Sequence, residues 1–114
     1  MKNQRLKEAQ IELGNYRSYK KSVADMHAKK RSINIKLKRW VLLITCMDCA
    51  LSKLTDDVRT YARMRYMDPE EHKHAYISVD MGVSERTLSR WNDQVIRAVA
   101  IQLELLETKL DAML

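Results

Sequence analysis

The sequence predicts an all-α fold, and three observations support this prediction. The 114 residues include only two glycines, one proline and no phenylalanine, so few positions can interrupt a helix. Apolar residues recur at steps of three and four along much of the chain, which is the spacing of one helix face. Hydrophobic residues make up 46% and charged residues 32%, which is a globular composition. The length suits a single domain, and two glycines exclude the glycine-rich phosphate loops of Rossmann and P-loop enzymes.

Basic residues are concentrated in the first part of the chain. Lysine and arginine number 21 against 15 acidic residues, a net charge of +6. Residues 1–40 hold twelve basic and three acidic residues, a net charge of +9, and the remainder has a net charge of −3. This asymmetry favours a polyanionic partner, because neutralising phosphates releases counterions. The alternative is a solvated helix face. We accordingly divide the chain into a basic N-terminal arm, residues 1–31, and a helical core, residues 32–114.

The location of the protein is indicated by what its first residues contain. They are charged and lack the apolar segment of a signal peptide. No apolar run approaches the roughly 18 residues that a membrane span needs. We therefore expect a cytoplasmic protein without a membrane partner.

The first helix is predicted from about Lys2 to Met26, with only a thin apolar stripe. Gly14 and Asn15 interrupt it, because glycine costs about 1 kcal/mol relative to alanine inside a helix, so we expect a kink or a break there. The polar run from His27 then forms a connection or a frayed helix end.

A second, central helix is predicted from Ile33, with Ser32 as its N-cap. Its apolar stripe alternates in steps of four and three: Ile33, Leu37, Trp40, Ile44, Met47, Leu51 and Leu54. Val41 and Leu43 widen the stripe, which predicts burial on more than one side.

Two further helix starts are predicted by capping residues. Thr55, followed by Asp56 and Asp57, begins a helix that runs to about Met67, since negative charge complements the helix dipole. Asp68, Pro69 and Glu71 have the spacing of a capping box with proline at the first helical position. We therefore expect another helix from Pro69 to Met81.

The last helix is bounded by Gly82 and Ser84. Gly82 supplies a left-handed residue that ends the preceding helix, and Ser84 caps the next one. No glycine or proline follows, so this helix is predicted from Glu85 to about Ala112.

Residues 76–91 have the pattern of a helix-turn-helix, within a reading region at about 69–97. Gly82 makes the turn, and the small Ser78 lets the second helix cross close by. The positions that would form its core are Ile77, Met81, Val83, Leu88 and Trp91. The outward positions hold short polar groups and arginines: Ser84, Glu85, Arg86, Thr87, Ser89, Arg90, Asp93 and Arg97. Such groups can bond base edges and phosphates from the major groove. The alternative is a plain helical corner with a solvated polar face.

These positions predict a double-stranded DNA interface in which different residues have different tasks. Arg86, Thr87, Ser89 and Arg90 are expected to read bases, on a helix that starts with Ser84 and Glu85. Phosphate contacts are expected from Arg97, Lys73, Lys29, Lys30 and Arg31.

A family resemblance covers both ends of the chain. The segments LTDDVRTYARMRYMD and YISVDMGVSERTLSRWNDQVIRAVAIQL, within residues 54–103, resemble region four of primary sigma factors and, more closely, phage regulators of the RinA/ArpU type. The segment ELGNYRSYKKSV, residues 12–23, looks like that family's Asn-Tyr segment. The resemblance implies a DNA-binding activator of late phage genes for packaging, structure or lysis in a Gram-positive host, with a recognition helix at Ser84–Arg97.

Other functional constellations are weaker. Cys46 and Cys49 form a CxxC pair, but they lie inside a helical stripe without the glycine knuckle of zinc ribbons, so we expect buried, reduced thiols rather than a metal site. The three histidines suggest no catalytic arrangement. We therefore expect neither an enzyme nor a cofactor or metal.

The apolar stripe of the last helix outlasts the reading region. It consists of Val95, Val99, Leu103, Leu106, Leu110 and Met113, with Ile101 and Leu105 beside it. It could pack on the basic N-terminal helix or on a second subunit, and we favour a two-fold homodimer because paired half-sites strengthen DNA binding. Two alternatives to a regulator are a small terminase-like packaging protein, which works as a ring, and a sigma-like protein-interaction module that contacts RNA polymerase or a host factor.

Overall fold

Six α-helices and one π-helical turn form the described part of the protein, residues 3–28 and 35–113 of a computed structural model. The elements are α1 (Asn3–Gly14), α2 (Tyr16–Ala28), α3 (Ile35–Ser52), α4 (Asp56–Ala62), the π turn (Arg63–Met67), α5 (His74–Met81) and α6 (Glu85–Met113). These residues contain no β-strand, which confirms the all-α prediction. None of the helices found in them has both the length and the apolar character needed to cross a bilayer.

The predicted break at Gly14 and Asn15 is confirmed. Gly14 is the last residue of α1, and the Asn15 N–H donates to the carbonyls of Ile11 and Glu12, at 3.1 Å each. The Asn15 carbonyl then accepts from Tyr19 N–H at 2.9 Å, so the two helices meet at one turn residue. The predicted cap Ser32, the stripe residue Ile33 and the predicted DNA contacts Lys29, Lys30 and Arg31 lie outside the described residues.

Helix α3 is central, as its stripe predicts, because it packs against α2, α4 and α6. Leu37, Ile44, Met47 and Leu51 are buried, and so is the flanking Leu43. The expectation for Val41 is wrong, since it is 43% exposed. Its position on α3 lies outside the faces that the neighbouring helices cover.

One hydrophobic core extends through the described helices. Its fully buried large side chains are Leu13, Met47, Tyr61, Ile77, Leu88, Val95 and Val99. The predicted basic arm contributes to this core through Ala9, Leu13, Tyr16 and Tyr19. Burying a leucine or valine side chain contributes about 1.5–3 kcal/mol to the stability of the fold. The hydrophobic effect therefore holds α1 and α2 on the core, as it holds the other helices.

Helix α4 begins at Asp56, with Thr55 at the N-cap position and two aspartates in the first turn, as predicted. The expected hydroxyl cap is wrong, because the Thr55 side chain makes no capping hydrogen bond. Arg59 instead joins α4 to the end of α3. Its guanidinium donates to the carbonyls of Leu51 at 3.2 Å and Leu54 at 2.8 Å, which satisfies carbonyls that lack a partner within the helix.

The helix predicted to begin at Pro69 begins instead at His74, so the capping-box interpretation of Asp68, Pro69 and Glu71 is wrong. Residues 68–73 form a loop that folds back on the π turn. Glu71 does not reach back to cap a helix, because its carboxylate pairs with Arg65 at 3.2 Å. The His72 N–H donates to the Met64 carbonyl at 3.4 Å.

Arg17 of α2 holds this loop. Its guanidinium donates to the carbonyls of Asp68 at 2.5 Å, Arg65 at 3.1 Å, and Met64 and Glu70 at 3.4 Å each. One arginine thus joins the end of the π turn to the loop that follows. The carbonyls at a helix C-terminus interact favourably with a cation. Arg17, although part of the basic arm, therefore has a structural role.

Helix α1 lies along α6. Arg5 bonds Glu107 and Glu8, and lies 3.9 Å from Glu104. Val95, Val99 and Leu103 of the α6 stripe are buried within the chain itself, whereas Leu110 is 46% exposed. The chain's own helices therefore cover the first part of the stripe and leave its last part open.

Candidate nucleic-acid interface

Helices α5 and α6 are joined by a tight left-handed turn. Gly82 has φ 68° and ψ 34°, which is the left-handed conformation that glycine adopts without steric cost. The N–H of Val83 donates to the Ser78 carbonyl at 3.1 Å, the bond that closes a helix in a Schellman motif. The predicted role of Gly82 as the end of this helix is confirmed.

Ser84 caps α6, as predicted. Its Oγ accepts from the Thr87 N–H at 3.1 Å and lies 3.0 Å from the Thr87 hydroxyl. An N-cap of this kind stabilises a helix by about 1 kcal/mol. The Ser84 hydroxyl is therefore engaged in the helix cap, and Thr87 is half-buried beside it.

The inner face of this corner is apolar. Ile77 of α5 and Leu88 of α6 are fully buried, and Trp91 is half-buried. The Trp91 ring lies 6.3 Å from the ring of Tyr61, tilted by 59°. The Ser78 hydroxyl donates to the Val83 carbonyl, so the small residue also fastens the turn. The start of α6 is therefore fixed relative to α4 and α5.

The outer face of α6 is exposed and polar. The exposed side chains include Glu85, Arg86, Ser89, Arg90 and Arg97, and Lys73 precedes α5 in an exposed position. Arg86, Arg90, Asp93 and Arg97 follow one another at steps of four, three and four, so they form one stripe. None of these three arginines forms an ion pair with a described residue. Their guanidinium groups are available to a ligand.

Helix α1 adds residues that sequence reasoning did not assign individually. A groove of about 360 Å³ lies between α1 and α6. It is lined by Asn3, Leu6, Lys7, Gln10, Asp93, Ile96 and Arg97. Lys7 and Arg97 thus border the same groove at the end of the α6 stripe. The steps from Asn3 to Lys7 and to Gln10 already put these polar residues on one face of α1. That this face borders α6 depends on tertiary packing.

The buried Tyr61 and the half-buried His74 form a pair at the start of α5. The Tyr61 hydroxyl lies 2.7 Å from His74 Nε2. Burial, and then the positive charge of Arg65, lower the pKa of His74 below its ordinary value, while Glu85 acts in the opposite direction. Burial raises the pKa of Tyr61. Both shifts favour the uncharged forms, so the phenol and the imidazole are joined by a hydrogen bond between neutral groups. The rings of His72 and Tyr76 stack nearby at 4.8 Å.

The two cysteines differ in exposure. Cys46 is buried, and burial raises the pKa of its thiol to about 11. Cys49 is exposed, so the expectation that both thiols are buried is wrong for Cys49. Position 49 lies at the outer seam between α3 and α6, in a cavity that Leu105 and Lys109 also line. Within residues 3–28 and 35–113, no group of three or more His, Cys, Asp or Glu side chains is arranged to hold a metal ion.

The chain matches no protein-family model, and no curated protein or solved structure is significantly similar to it. What this surface can bind therefore follows from its own geometry and charge.

Proposed function

We propose that this protein is a sequence-specific, double-stranded DNA-binding transcriptional regulator whose helix α6 enters the major groove. One observation supports this most directly: the first turns of α6 present exposed arginines that pair with no acidic residue among those the structure describes. The buried Leu88 and the Gly82 turn fix this helix on its inner side. The major groove, about 12 Å wide, admits one α-helix. A rigid helix that offers arginines fits that groove.

Base reading is assigned to the exposed positions of the first two turns. Arg86 and Arg90 can each donate two hydrogen bonds to a guanine, and Glu85 can accept from a cytosine amino group. Ser89 can bond either kind of base edge. Ser84 and Thr87 serve mainly as the cap that sets the start of the helix.

Phosphate binding is assigned to the rim of the same surface. Arg97 and Lys7 border the groove between α6 and α1, and Lys73 lies at the other edge, before α5. Lys29, Lys30 and Arg31 would add charge without reading sequence. Asp93 lies between Arg90 and Arg97 on the stripe. Its negative charge repels a phosphate at that point, so phosphates are expected to approach closely only at the flanks of the stripe.

The biological role extends the proposal further. The resemblance to RinA/ArpU-type regulators supports an activator of late phage genes that acts in the bacterial cytoplasm. We expect it to bind paired half-sites as a homodimer, because paired sites strengthen DNA binding. Contact with RNA polymerase belongs to the alternative of a protein-interaction module. The proposal assigns no catalysis and no cofactor to the protein.

The deciding experiment selects DNA from a random pool with the full-length chain, then measures affinity for the selected site and for random DNA at physiological salt. Arg86→Ala or Arg90→Ala should cost about 1–3 kcal/mol on the selected site and little on random DNA. Arg63→Ala, which removes an exposed arginine from the π turn, is the matched control and should change neither affinity. Equal losses on both DNAs would contradict base reading, and selection of no DNA would favour the protein-interaction module.

The role of the arm is tested by salt dependence. Removing the charges of Lys29, Lys30 and Arg31 should weaken binding to all DNA alike and reduce the salt slope by about 0.9 per lost phosphate contact. An unchanged slope would show that these residues do not contact DNA.

The mass of the assembly in solution distinguishes the regulator, which is expected to be a dimer, from a ring-forming packaging protein of eight or more subunits.

A further inference from the structure

The outer sides of α3 and α6 leave apolar side chains open to solvent, away from the DNA surface proposed above. Leu42 is 43% exposed, Leu105 is 47% exposed and Leu110 is 46% exposed. Two cavities lie along the seam between these helices, of about 320 Å³ and 350 Å³, and both are lined by Leu42 and Leu106. Because the two cavities share these lining residues, we call them together the α3–α6 groove. Its floor also includes Thr45 and Cys49.

Among the described residues, every charged side chain that lines the α3–α6 groove is cationic. They are Lys38, Arg39, Lys53 and Lys109. No acidic side chain in this part of the chain lines either cavity, and none of the four cations forms an ion pair with another described residue. The groove thus combines a leucine-rich floor with a positively charged rim.

We propose that the α3–α6 groove binds an amphipathic helix of another protein, with apolar anchors on one face and acidic residues along its flanks. Helix-in-groove recognition uses anchors at steps of three and four, which fill an apolar channel. Acidic flanks would neutralise the lysines of the rim. The groove lining on α3 runs from Ile35 to Cys49, and fourteen steps of about 1.5 Å give roughly 21 Å, enough for more than three helical turns.

The charge of the rim argues against a second copy of this chain as the occupant, so the homodimer proposed above would form through another surface. A two-fold interface brings each surface patch onto itself, so the lysines of one copy would face those of the other. Like charges placed together in an interface cost several kcal/mol. An acidic helix has the complementary charge and the same apolar requirement.

The groove is also separate from the proposed DNA surface. Arg97, the last residue of the proposed DNA surface on α6, is eight residues from Leu105, about 12 Å along the helix, and the base-reading Arg90 is about 22 Å from Leu105. A helix bound in the groove therefore leaves the start of α6 free. This inference goes beyond the proposed function and does not depend on it.

Two synthetic helical peptides of about 14 residues test the proposal. Both carry leucines at steps of three and four, and they differ only in flanks of glutamate or of lysine. Fluorescence anisotropy with the full-length chain should show the glutamate peptide binding at least 10-fold more tightly. Cys49, exposed in the groove, should react with a maleimide at least fivefold more slowly when that peptide is bound, whereas the buried Cys46 should not react.

Substitutions in and beside the α3–α6 groove test whether the glutamate peptide binds there. Leu105→Glu should weaken the glutamate peptide at least 10-fold. Ile101→Glu is the matched control, since Ile101 is equally exposed on α6 and does not line the groove. A Lys53→Glu and Lys109→Glu double variant should reverse the preference between the peptides. Both changed lysines are exposed, so this test does not depend on the tolerance of Leu105 to substitution.

Three results would overturn the proposal. The first is equal affinity for both peptides, and the second is glutamate-peptide binding that neither the Leu105 variant nor the double lysine variant alters. The third is self-association, measured by sedimentation equilibrium, that Leu105→Glu abolishes and Ile101→Glu preserves. That result would make a second copy the occupant. Binding to the selected DNA is scored separately, so failure here leaves the regulator proposal unaffected.

Discussion

At the scale of single residues, Arg17 joins α2 to the π turn and to the loop that follows it. Its guanidinium bonds carbonyls from Met64 to Glu70, so Arg17→Met should leave several half-buried carbonyls without a donor. We expect a loss of about 1.5–3 kcal/mol in the free energy of unfolding, measured with urea. Arg17→Lys should recover only part of it, because an ammonium lacks the planar fork. The control Lys21→Met removes an exposed charge from the same helix, and an equal loss there would contradict the capping role.

His74 links stability to pH. Its pKa in the folded protein lies below the ordinary value of about 6.5, so the unfolded chain binds the proton more readily. The free energy of unfolding should therefore fall as the pH drops through 6.5 towards 5. His74→Gln should make this slope shallower, whereas His27→Gln, at an exposed site on α2, should preserve it. Parallel slopes for the wild type and His74→Gln would show that the Tyr61–His74 pair does not sense pH.

At the scale of elements, the two glycines should respond in opposite directions. A Cβ at Gly82 meets no atom within 4 Å, but the backbone has φ +68°, so Gly82→Ala should cost about 1–2 kcal/mol from backbone strain alone. Gly14 also has room for a Cβ and ends a right-handed helix. Gly14→Ala should therefore add up to about 1 kcal/mol. Thermal unfolding measures both, and Gly82→Asn should lose less than Gly82→Ala, since asparagine tolerates this conformation.

Local signals explain which elements could be predicted from the sequence. The ends at Gly82 and Ser84 depend on residues within one turn of each other, and the α3 stripe depends on helical spacing alone. The predicted helix start at Pro69 is wrong because two arginines bond the segment around it. They are Arg17, some fifty residues earlier, and Arg65. Cys49 and Val41 lie on a correctly predicted helix, but spacing cannot say which faces its neighbours leave open. For the same reason, the sequence predicts the outward arginines of α6, whereas the position of Lys7 beside Arg97 depends on the packing of α1 against α6.

For the molecule as a whole, the open question is whether the basic arm can be separated from the rest. The sequence divides the chain at residue 31, but Leu13 in the arm and Leu88 in the proposed DNA-binding region are both fully buried in one core. Removing either side chain to Cβ leaves a cavity and costs about 2–5 kcal/mol. We therefore expect Leu13→Ala and Leu88→Ala to lower the free energy of unfolding by similar amounts.

A shared core also requires that both variants unfold in one transition, with far-ultraviolet circular dichroism and tryptophan fluorescence changing together. The two tryptophans, Trp40 and Trp91, both lie outside the arm, so their fluorescence reports on the remainder of the chain. Leu110→Ala, at a half-exposed site, should change stability little. If Leu13→Ala left the fluorescence transition unchanged, the arm would be an independent unit. A shifted, single transition would mean that α1 cannot detach without unfolding the protein, so DNA bound through α6 and Lys7 would contact one rigid surface.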